Sequence, residues 1–155
     1  MHTAGAGRQA RSCYNPNLAG HCRPPGGASN VKTILIVEDD PINVLVLYDF
    51  LTAHGYRATV ARNGPDGIER FHADKPDLML IDVQLPRKNG FEVCFEVKRT
   101  AHGKTMPVVL MSAVYKDVQH AERYTREGLA AQAYLVKPFE LAALLDQVYA
   151  LIGKA

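Results

Sequence analysis

Leu78-Met79-Leu80-Ile81-Asp82-Val83-Gln84-Leu85-Pro86 is the stretch of the chain that decides its fold. An apolar run ends abruptly in the carboxylate of Asp82, and a proline follows four residues later. Short continuous apolar runs are typical of strands buried in a parallel sheet, which cannot hold a charge in their middle. The charge is tolerated at the C-terminal end of such a strand, where open α/β sheets place their ligands. We therefore expect Asp82 to be a functional residue.

Strand patterns alternate with helical patterns along the chain on both sides of this stretch. The predicted strands are 33–37, 57–61, 77–81, 106–111 and 131–136. The predicted helices are 41–54, 65–73, 91–101, 116–127 and 139–152. Five repeats of strand then helix predict an α/β fold, with a parallel sheet, helices on both of its faces and right-handed crossovers.

The start of the first helix is well specified by its sequence. Asp40 is a favourable N-cap and Pro41 a favourable first helical residue, and Gly55 ends the helix. Apolar residues recur between them at helical spacing. They include Ile42, Leu45 and Val46.

The composition indicates one globular domain preceded by a tail. The chain has 155 residues, of which 47% are apolar and 22% charged. Residues 1–30 contain almost no large apolar residues, so we expect a disordered N-terminal tail, followed by the domain at 31–155. The tail and Lys32 carry four of the 18 basic residues and no acid, which leaves 14 basic against 16 acidic residues in the domain.

This balance excludes several classes of protein. The domain has no basic surplus that would predict nucleic-acid binding. No apolar run approaches the roughly 18 to 20 residues that span a bilayer, and the first thirty residues lack the apolar core of a secretory signal. Three scattered cysteines are too few for a disulfide framework. We therefore expect a cytoplasmic protein with neither nucleic-acid nor membrane partners.

Polar side chains end four of the five predicted strands. They are Glu38 and Asp39 after the first strand, Asp82 after the third, Ser112 after the fourth and Lys137 after the fifth. The C-terminal ends of parallel strands meet at one edge of the sheet, so these side chains are expected to share one crevice. Each alone has an ordinary structural explanation, such as a helix cap or a solvated loop residue, but their joint placement favours a functional site.

The residue types point to phosphoryl chemistry. Three carboxylates in one crevice repel one another, so Lys137 and a divalent cation are needed to compensate. Carboxylate and carbonyl oxygens without imidazole or thiolate favour Mg²⁺. The carboxylate of Asp82 can then attack phosphorus to form an acyl phosphate, while metal and lysine neutralise the transferring group. Ser112 can donate a hydrogen bond to that group once it is bound.

Four motifs in this order resemble the receiver domain of two-component response regulators, and the match extends over about residues 32–152. The motifs are ILIVEDDP at 34–41, DVQLPRKNG at 82–90, MSA at 111–113 and YLVKPF at 134–139. The resemblance is to single-domain receivers of the chemotaxis or cell-cycle type. It implies a flavodoxin-like, doubly wound sheet of five parallel strands in the order 2-1-3-4-5, with five helices.

The resemblance also assigns roles to the strand-end residues. It implies that Asp82 accepts a phosphoryl group from a histidine kinase or a histidine phosphotransfer protein. Glu38 and Asp39 correspond to the acidic pair of the family. Mg²⁺ would be held by this pair and Asp82, with direct bonds from Asp39, from Asp82 and from the backbone carbonyl of Gln84, and Lys137 would bridge to the phosphoryl group.

A hydroxyl and an aromatic residue complete the implied machinery. Ser112 and Tyr134 correspond to the family's pair that switches on phosphorylation. Gln84 stands where many members carry methionine or asparagine, and Asn89 where many carry aspartate. The segment between Ser112 and Lys137, 24 residues long, is longer than is typical of the family.

Other activities of related chemistry fit the sequence less well. A flavin mononucleotide site needs a loop rich in glycine and hydroxyl groups after the first strand, where this chain has Glu38-Asp39-Asp40. A phosphatase of the haloacid dehalogenase type needs a second aspartate two residues after the nucleophile, where this chain has Gln84. A degenerate receiver that acts as a scaffold would not need an intact set of strand-end residues.

We therefore expect a stand-alone receiver that is a phosphoacceptor and not a turnover enzyme. No output module follows the last predicted helix in this sequence. Its output is then expected to pass through a downstream protein target. The alternative is a phosphorelay intermediate that passes the phosphoryl group onward.

Overall fold

The computed structural model describes residues 31–113 and 131–154. The predicted tail 1–30 and the predicted helix 116–127 lie outside the described residues. Within the described ranges, no helix combines the length and the apolar character needed to cross a membrane.

Five parallel strands form a single sheet in the order β2-β1-β3-β4-β5, which confirms the predicted fold class. The strands are β1 (Thr33–Val37), β2 (Arg57–Ala61), β3 (Leu78–Asp82), β4 (Val108–Ser112) and β5 (Ala133–Val136). Every residue of β3 and β4 is buried, as expected for strands covered on both faces. The sheet register pairs Val37 with Ile81 and Asp82 with Met111, so the carboxyl ends of β1, β3 and β4 lie side by side.

Helices cover both faces of the sheet. They are α1 (Pro41–Ala53), α2 (Gly64–Asp74), α3 (Gly90–Lys98), α4 (Ala101–Thr105) and α5 (Leu141–Ile152). The helices α1 and α5 pack on one apolar core, built on Ile34, Ile36 and Leu80, and α2 and α3 pack on the other, built on Leu35, Met79 and Ile81. Alternate residues of each strand therefore enter opposite cores.

The short helix α4 was not predicted. The sequence predicts one helix over 91–101, but α3 ends at Lys98 and Thr100 begins a new helix. Thr100 has extended backbone angles, and its hydroxyl accepts a hydrogen bond from the backbone N–H of Gly103 at 2.9 Å. A threonine that caps a helix in this way interrupts the preceding one.

The buried face of α1 differs from the apolar residues singled out in the sequence. Ile42, Leu45 and Val46 are 71%, 46% and 44% exposed. The residues that enter the core are Val44, Leu47, Tyr48 and Leu51. The helix is apolar on both sides, so its sequence pattern alone does not indicate which side is buried. We call Ile42, Leu45 and Val46 the α1 stripe.

Local caps fix both ends of α1. The side chain of Asp40 accepts a hydrogen bond from the backbone N–H of Ile42 at 2.8 Å, as expected for an N-cap. At the other end, Gly55 has a φ of 89°, which only glycine adopts without strain. The helix start is therefore held directly beside the carboxyl end of β1.

Candidate functional site at the carboxyl edge of the sheet

Glu38 and Asp39 follow β1 at the centre of this edge. The backbone N–H of Glu38 continues the β1–β2 ladder with a 3.0 Å hydrogen bond to the carbonyl of Ala61. This bond keeps Glu38 in register with the sheet, and its side chain is only 1% exposed. Asp39 is exposed at the mouth of the crevice.

Asp82 ends β3 beside them and is 6% exposed. One carboxylate oxygen, Oδ1, accepts a 2.9 Å hydrogen bond from the backbone N–H of Gln84. The other oxygen, Oδ2, accepts a 2.9 Å hydrogen bond from Lys137 Nζ. The chain turns tightly after Asp82 and brings Gly90 against it. A Cβ at Gly90 would lie only 2.5 Å from the carbonyl oxygen of Asp82. Glycine therefore allows α3 to begin against the end of β3.

Lys137 connects the fifth strand to the acidic residues. Its Nζ lies 2.6 Å from Glu38 Oε2 and 2.9 Å from Asp82 Oδ2. Its backbone N–H donates to the carbonyl of Ser112 at 2.8 Å, which fixes the start of its side chain at the end of β4 and β5. One ammonium group therefore bridges two nearly buried carboxylates that come from β1 and β3.

This arrangement changes the acidity of its members. Burial raises the pKa of Glu38 to about 7, and the neighbouring Asp82 acts in the same direction, whereas Lys137 partly offsets both. Burial lowers the pKa of Lys137, but its hydrogen bonds to Glu38 and Asp82 outweigh that effect, and the pKa is raised above its usual 10.5. Lys137 is therefore a permanent cation, and the site holds more negative charge than it compensates.

The geometry fits a hard divalent cation. Glu38, Asp39 and Asp82 each offer a carboxylate oxygen, and these oxygens all lie within 4.8 Å of one another. The donor set has no nitrogen or sulfur, which favours Mg²⁺ over zinc or copper. A cation at this position would compensate the negative charge that Lys137 leaves.

The remaining predicted residues lie near this group. Ser112 ends β4 one position after Met111, which pairs with Asp82, and it is buried. Tyr134, on β5, pairs with Leu110 of β4 and is half-buried against the core under α2 and α3. Gln84 has an exposed side chain two residues after Asp82. The structure thus places the predicted switch pair on neighbouring strands.

Sequence reasoning missed Arg62. It follows β2 directly, and its Nη2 donates a 3.1 Å hydrogen bond to the backbone carbonyl of Asp39. The predicted site is made of the polar residues that end strands one, three, four and five, and it leaves out the residue that follows strand two. Since β2 is the neighbour of β1, its position at the end of a strand is the sequence signal that predicts Arg62 at this edge.

A cavity opens beside Lys137 on the α1 side of the sheet. It has a volume of about 370 Å³ and lies between the first turns of α1 and the segment that leads into α5. Its lining is mainly apolar. The lining residues include Val46, Leu47, Ala113, Pro138, Phe139 and Leu141. The α1 stripe therefore continues into a concave apolar surface next to the site.

The fold and the site together define a flavodoxin-like α/β protein with an acidic, lysine-bridged aspartate at the carboxyl edge of its sheet. The sequence pattern of the response regulator receiver domain family matches residues 34–149. The chain belongs to this family, the phosphoacceptor domains of two-component systems.

Curated relatives of similar length support this assignment. Protein PilH of Pseudomonas aeruginosa is 32% identical over 120 residues, which cover 77% of this chain and 97% of PilH. The polar-differentiation response regulator DivK of Brucella anthropi is 30% identical over 124 residues, which cover 80% of this chain and 98% of DivK.

Solved structures agree with the fold. The receiver domain of a sensor histidine kinase from Pseudomonas aeruginosa, solved with a magnesium ion in its active-site cleft, superposes with a TM-score of 0.67 at 28% identity and covers 80% of this chain and 99% of that domain. The response regulator TrrA of Thermotoga maritima, solved with Mg²⁺ and BeF, gives a TM-score of 0.66 at 29% identity and covers 79% and 100% of the two chains.

Proposed function

We propose that this chain accepts a phosphoryl group on Asp82 from a histidine kinase or a histidine phosphotransfer protein, with Mg²⁺, and signals through a protein-binding surface that phosphorylation switches. One observation carries the proposal. Asp82 is nearly buried at a strand end, bridged by Lys137 and within reach of the carboxylates of Glu38 and Asp39. In this proposal the domain is a phosphoacceptor in the cytoplasm and not a turnover enzyme.

The transfer needs a carboxylate that is oriented and poorly hydrated. An oxygen of Asp82 attacks phosphorus, the bond from phosphorus to the donor's imidazole nitrogen breaks, and that nitrogen keeps the electron pair. The backbone N–H of Gln84 and the ammonium of Lys137 hold the carboxylate before the donor arrives. This orientation removes part of the entropic cost of the reaction.

Charge compensation is shared between the chain and a metal. Glu38, Asp39 and Asp82 would hold Mg²⁺ together with the carbonyl of Gln84, and the metal when bound would neutralise charge on the phosphoryl oxygens. Lys137 already donates a hydrogen bond to Asp82. Its ammonium would therefore be close enough to stabilise the negative charge that develops on the phosphoryl group.

The switch would use Ser112 and Tyr134. Ser112 ends β4 beside Asp82, and a hydroxyl there can turn to donate to the phosphoryl group. Tyr134 lies on the next strand and is only half-buried, so it has an inward and an outward position available in this proposal. Phosphorylation would shift the population between two arrangements of this pair and change the surface that a downstream protein binds.

The phosphoryl donor would dock on the α1 stripe. The stripe consists of exposed apolar side chains, and the helix that carries it begins at Pro41, directly after the acidic residues. Exposed apolar groups next to a concave apolar cavity are typical of protein interaction sites, and an amphipathic helix of the donor matches this shape. Docking there brings the donor's histidine to the mouth of the crevice.

The decisive experiment replaces the phosphoacceptor. Asp82→Asn should abolish Mg²⁺-dependent labelling by acetyl phosphate, because an amide is not a nucleophile of this kind, and mass spectrometry of the intact protein measures the label. Asp146→Asn is the matched control, since Asp146 is an exposed carboxylate on α5, and it should label like the wild type.

Two outcomes would contradict the proposal. One is acid-labile, Mg²⁺-dependent labelling that persists in the Asp82→Asn variant. The other is a wild-type protein that takes no phosphoryl group from acetyl phosphate or from any histidine kinase offered to it.

A further inference from the structure

Arg62 joins the edge strand of the sheet to the acidic residues. It is the first residue after β2, and β2 pairs in register with β1 up to Ala61 and Val37. Because the two strands end together, the side chain of Arg62 reaches over the end of β1, where its Nη2 donates a 3.1 Å hydrogen bond to the carbonyl oxygen of Asp39.

This bond acts on the least constrained of the three carboxylate residues. Glu38 is anchored to β2 through its backbone and to Lys137 through its side chain. Asp82 is the last residue of β3 and is held by two hydrogen bonds. Asp39, in contrast, is exposed and lies between the end of β1 and the start of α1.

The loop around Asp39 has fixed points on either side. The backbone N–H of Asp40 donates to Glu38 Oε1 at 3.3 Å, and Asp40 caps α1. The carbonyl of Asp39 belongs to the same peptide unit as the N–H of Asp40, and Arg62 holds this carbonyl from the side of β2. Rotation of this peptide would swing the Asp39 carboxylate away from the oxygens of Glu38 and Asp82, which now lie within 4.8 Å of it.

We propose that Arg62 is a positioning residue of the divalent-cation site, which holds the Asp39 peptide so that the Asp39 carboxylate faces Glu38 and Asp82. The inference rests on the proposed function, since it concerns the same Mg²⁺ site. Arg62 does not touch the metal or the phosphoryl group in this assignment. It acts through Asp39, in the way that outer residues orient metal ligands elsewhere.

The positive charge of Arg62 should weaken Mg²⁺ binding, whereas its hydrogen bond to Asp39 should strengthen it. A guanidinium near the site repels a divalent cation, so its removal would strengthen Mg²⁺ binding if electrostatics dominated. The side chain is partly exposed, and solvent and salt screen this repulsion. The hydrogen bond, in contrast, is short-ranged and unaffected by dilute salt. Positioning and repulsion therefore predict opposite changes in Mg²⁺ affinity when Arg62 is removed.

The experiment measures Mg²⁺ binding to the full, unphosphorylated chain by titration calorimetry. Arg62→Met should raise the dissociation constant for Mg²⁺ about 3- to 10-fold. This is less than the roughly 10- to 100-fold typical of a lost partner of a ligand side chain, because Arg62 acts through the backbone. Arg62→Lys keeps the charge and one donor and should recover part of the affinity. Arg99→Met removes an arginine charge from the exposed end of α3 and should leave the affinity unchanged.

Phosphorylation by acetyl phosphate gives a second measurement. The Mg²⁺ concentration for half-maximal rate should rise by the same factor in Arg62→Met, while the rate at saturating Mg²⁺ stays that of the wild type. The melting temperature without metal should change little. A general loss of structure would instead lower the saturating rate and the melting temperature together.

The outcomes separate this inference from the proposed function. Unchanged or tighter Mg²⁺ binding by Arg62→Met, with a wild type that binds Mg²⁺ and accepts phosphate, overturns the role of Arg62 alone. A loss of melting temperature and saturating rate without a shift in Mg²⁺ affinity also overturns it. A wild type that binds Mg²⁺ but takes no phosphoryl group contradicts the proposed function and leaves the affinity comparison decisive.

Discussion

Glu38 carries the largest unrelieved electrostatic cost among the residues of the site. It is almost fully buried, it faces Asp82, and only one ammonium group serves both carboxylates. A carboxyl group in such a place keeps its proton to higher pH than it does in the unfolded chain. The stability of the metal-free protein is therefore expected to depend on pH through the ionisation of this one residue.

The direction of this dependence follows from the two pKa values. The pKa of Glu38 is about 7 in the folded protein and near 4.5 in the unfolded chain, so the folded state binds the proton more tightly. Its contribution to stability is full below about pH 4.5 and is lost as the pH rises towards 7. Between pH 5 and pH 8, metal-free wild type should lose about 1–3 kcal/mol relative to Glu38→Gln.

Urea unfolding at both pH values measures this difference. The comparison with Glu38→Gln removes the contributions of histidines and other groups that titrate in the same range. A wild type that gains stability relative to Glu38→Gln over this range would show that Lys137 compensates Glu38 fully. Saturating Mg²⁺ should reduce the difference, because a bound cation favours the ionised carboxylate.

At the scale of the single element, α2 ends in a strained residue. Lys75 is its C-cap and has a φ of 45°, in the left-handed region that favours glycine. Lys75→Gly should therefore raise the free energy of unfolding by about 0.5–1 kcal/mol, and Lys75→Ala should give no gain because alanine keeps the strain. Thermal unfolding measures both variants, and equal melting temperatures for the two would count against stored strain at this cap.

Elements were predictable where the sequence carries two independent signals. The strands β1, β3 and β4 are short apolar runs that also end in polar residues, and both features survive in the structure. The start of α1 has a cap and a proline, and it lies where predicted. The face of α1 was not predictable, since the side made by Ile42, Leu45 and Val46 is as apolar as the side that packs on the sheet.

The grouping of the site residues was predictable from the sequence, but their detailed geometry was not. Glu38, Asp82 and Lys137 lie together because the ends of parallel strands meet, which the order of elements already implies. Their hydrogen-bond distances, the pKa of Glu38 and the bond from Arg62 to Asp39 depend on side-chain conformation and on the sheet order. These features cannot be obtained from the order of residue types alone.

At the scale of the whole molecule, the amino edge of the sheet is tied to the end of α5. The hydroxyl of Tyr56 donates a 2.6 Å hydrogen bond to the carbonyl of Gly153, and the ammonium of Lys32 donates to the carbonyl of Ile152. Both acceptors are carbonyls at the C-terminal end of a helix, where cationic and hydroxyl donors are favourable. These bonds join residues that lie 97 and 120 positions apart in the chain.

Loss of the tyrosine bond should weaken the whole fold. Tyr56→Phe removes only the hydroxyl and is expected to lower the free energy of unfolding by about 1 kcal/mol. Tyr149→Phe on α5 is the matched control and should have little effect, since its ring remains in place. Urea unfolding compares the two, and an equal loss in both variants would show that the bond to Gly153 is not the cause.

The position of Lys137 in the chain sets the order in which the charged residues of the site are synthesised. The nucleophile Asp82 and the acid Glu38 are synthesised first, and their shared counterion follows 55 and 99 residues later. Before β5 is synthesised, pairing of β1 with β3 would bring the two carboxylates together with no lysine between them. The fifth strand therefore completes the sheet and brings the counterion of the site in the same step.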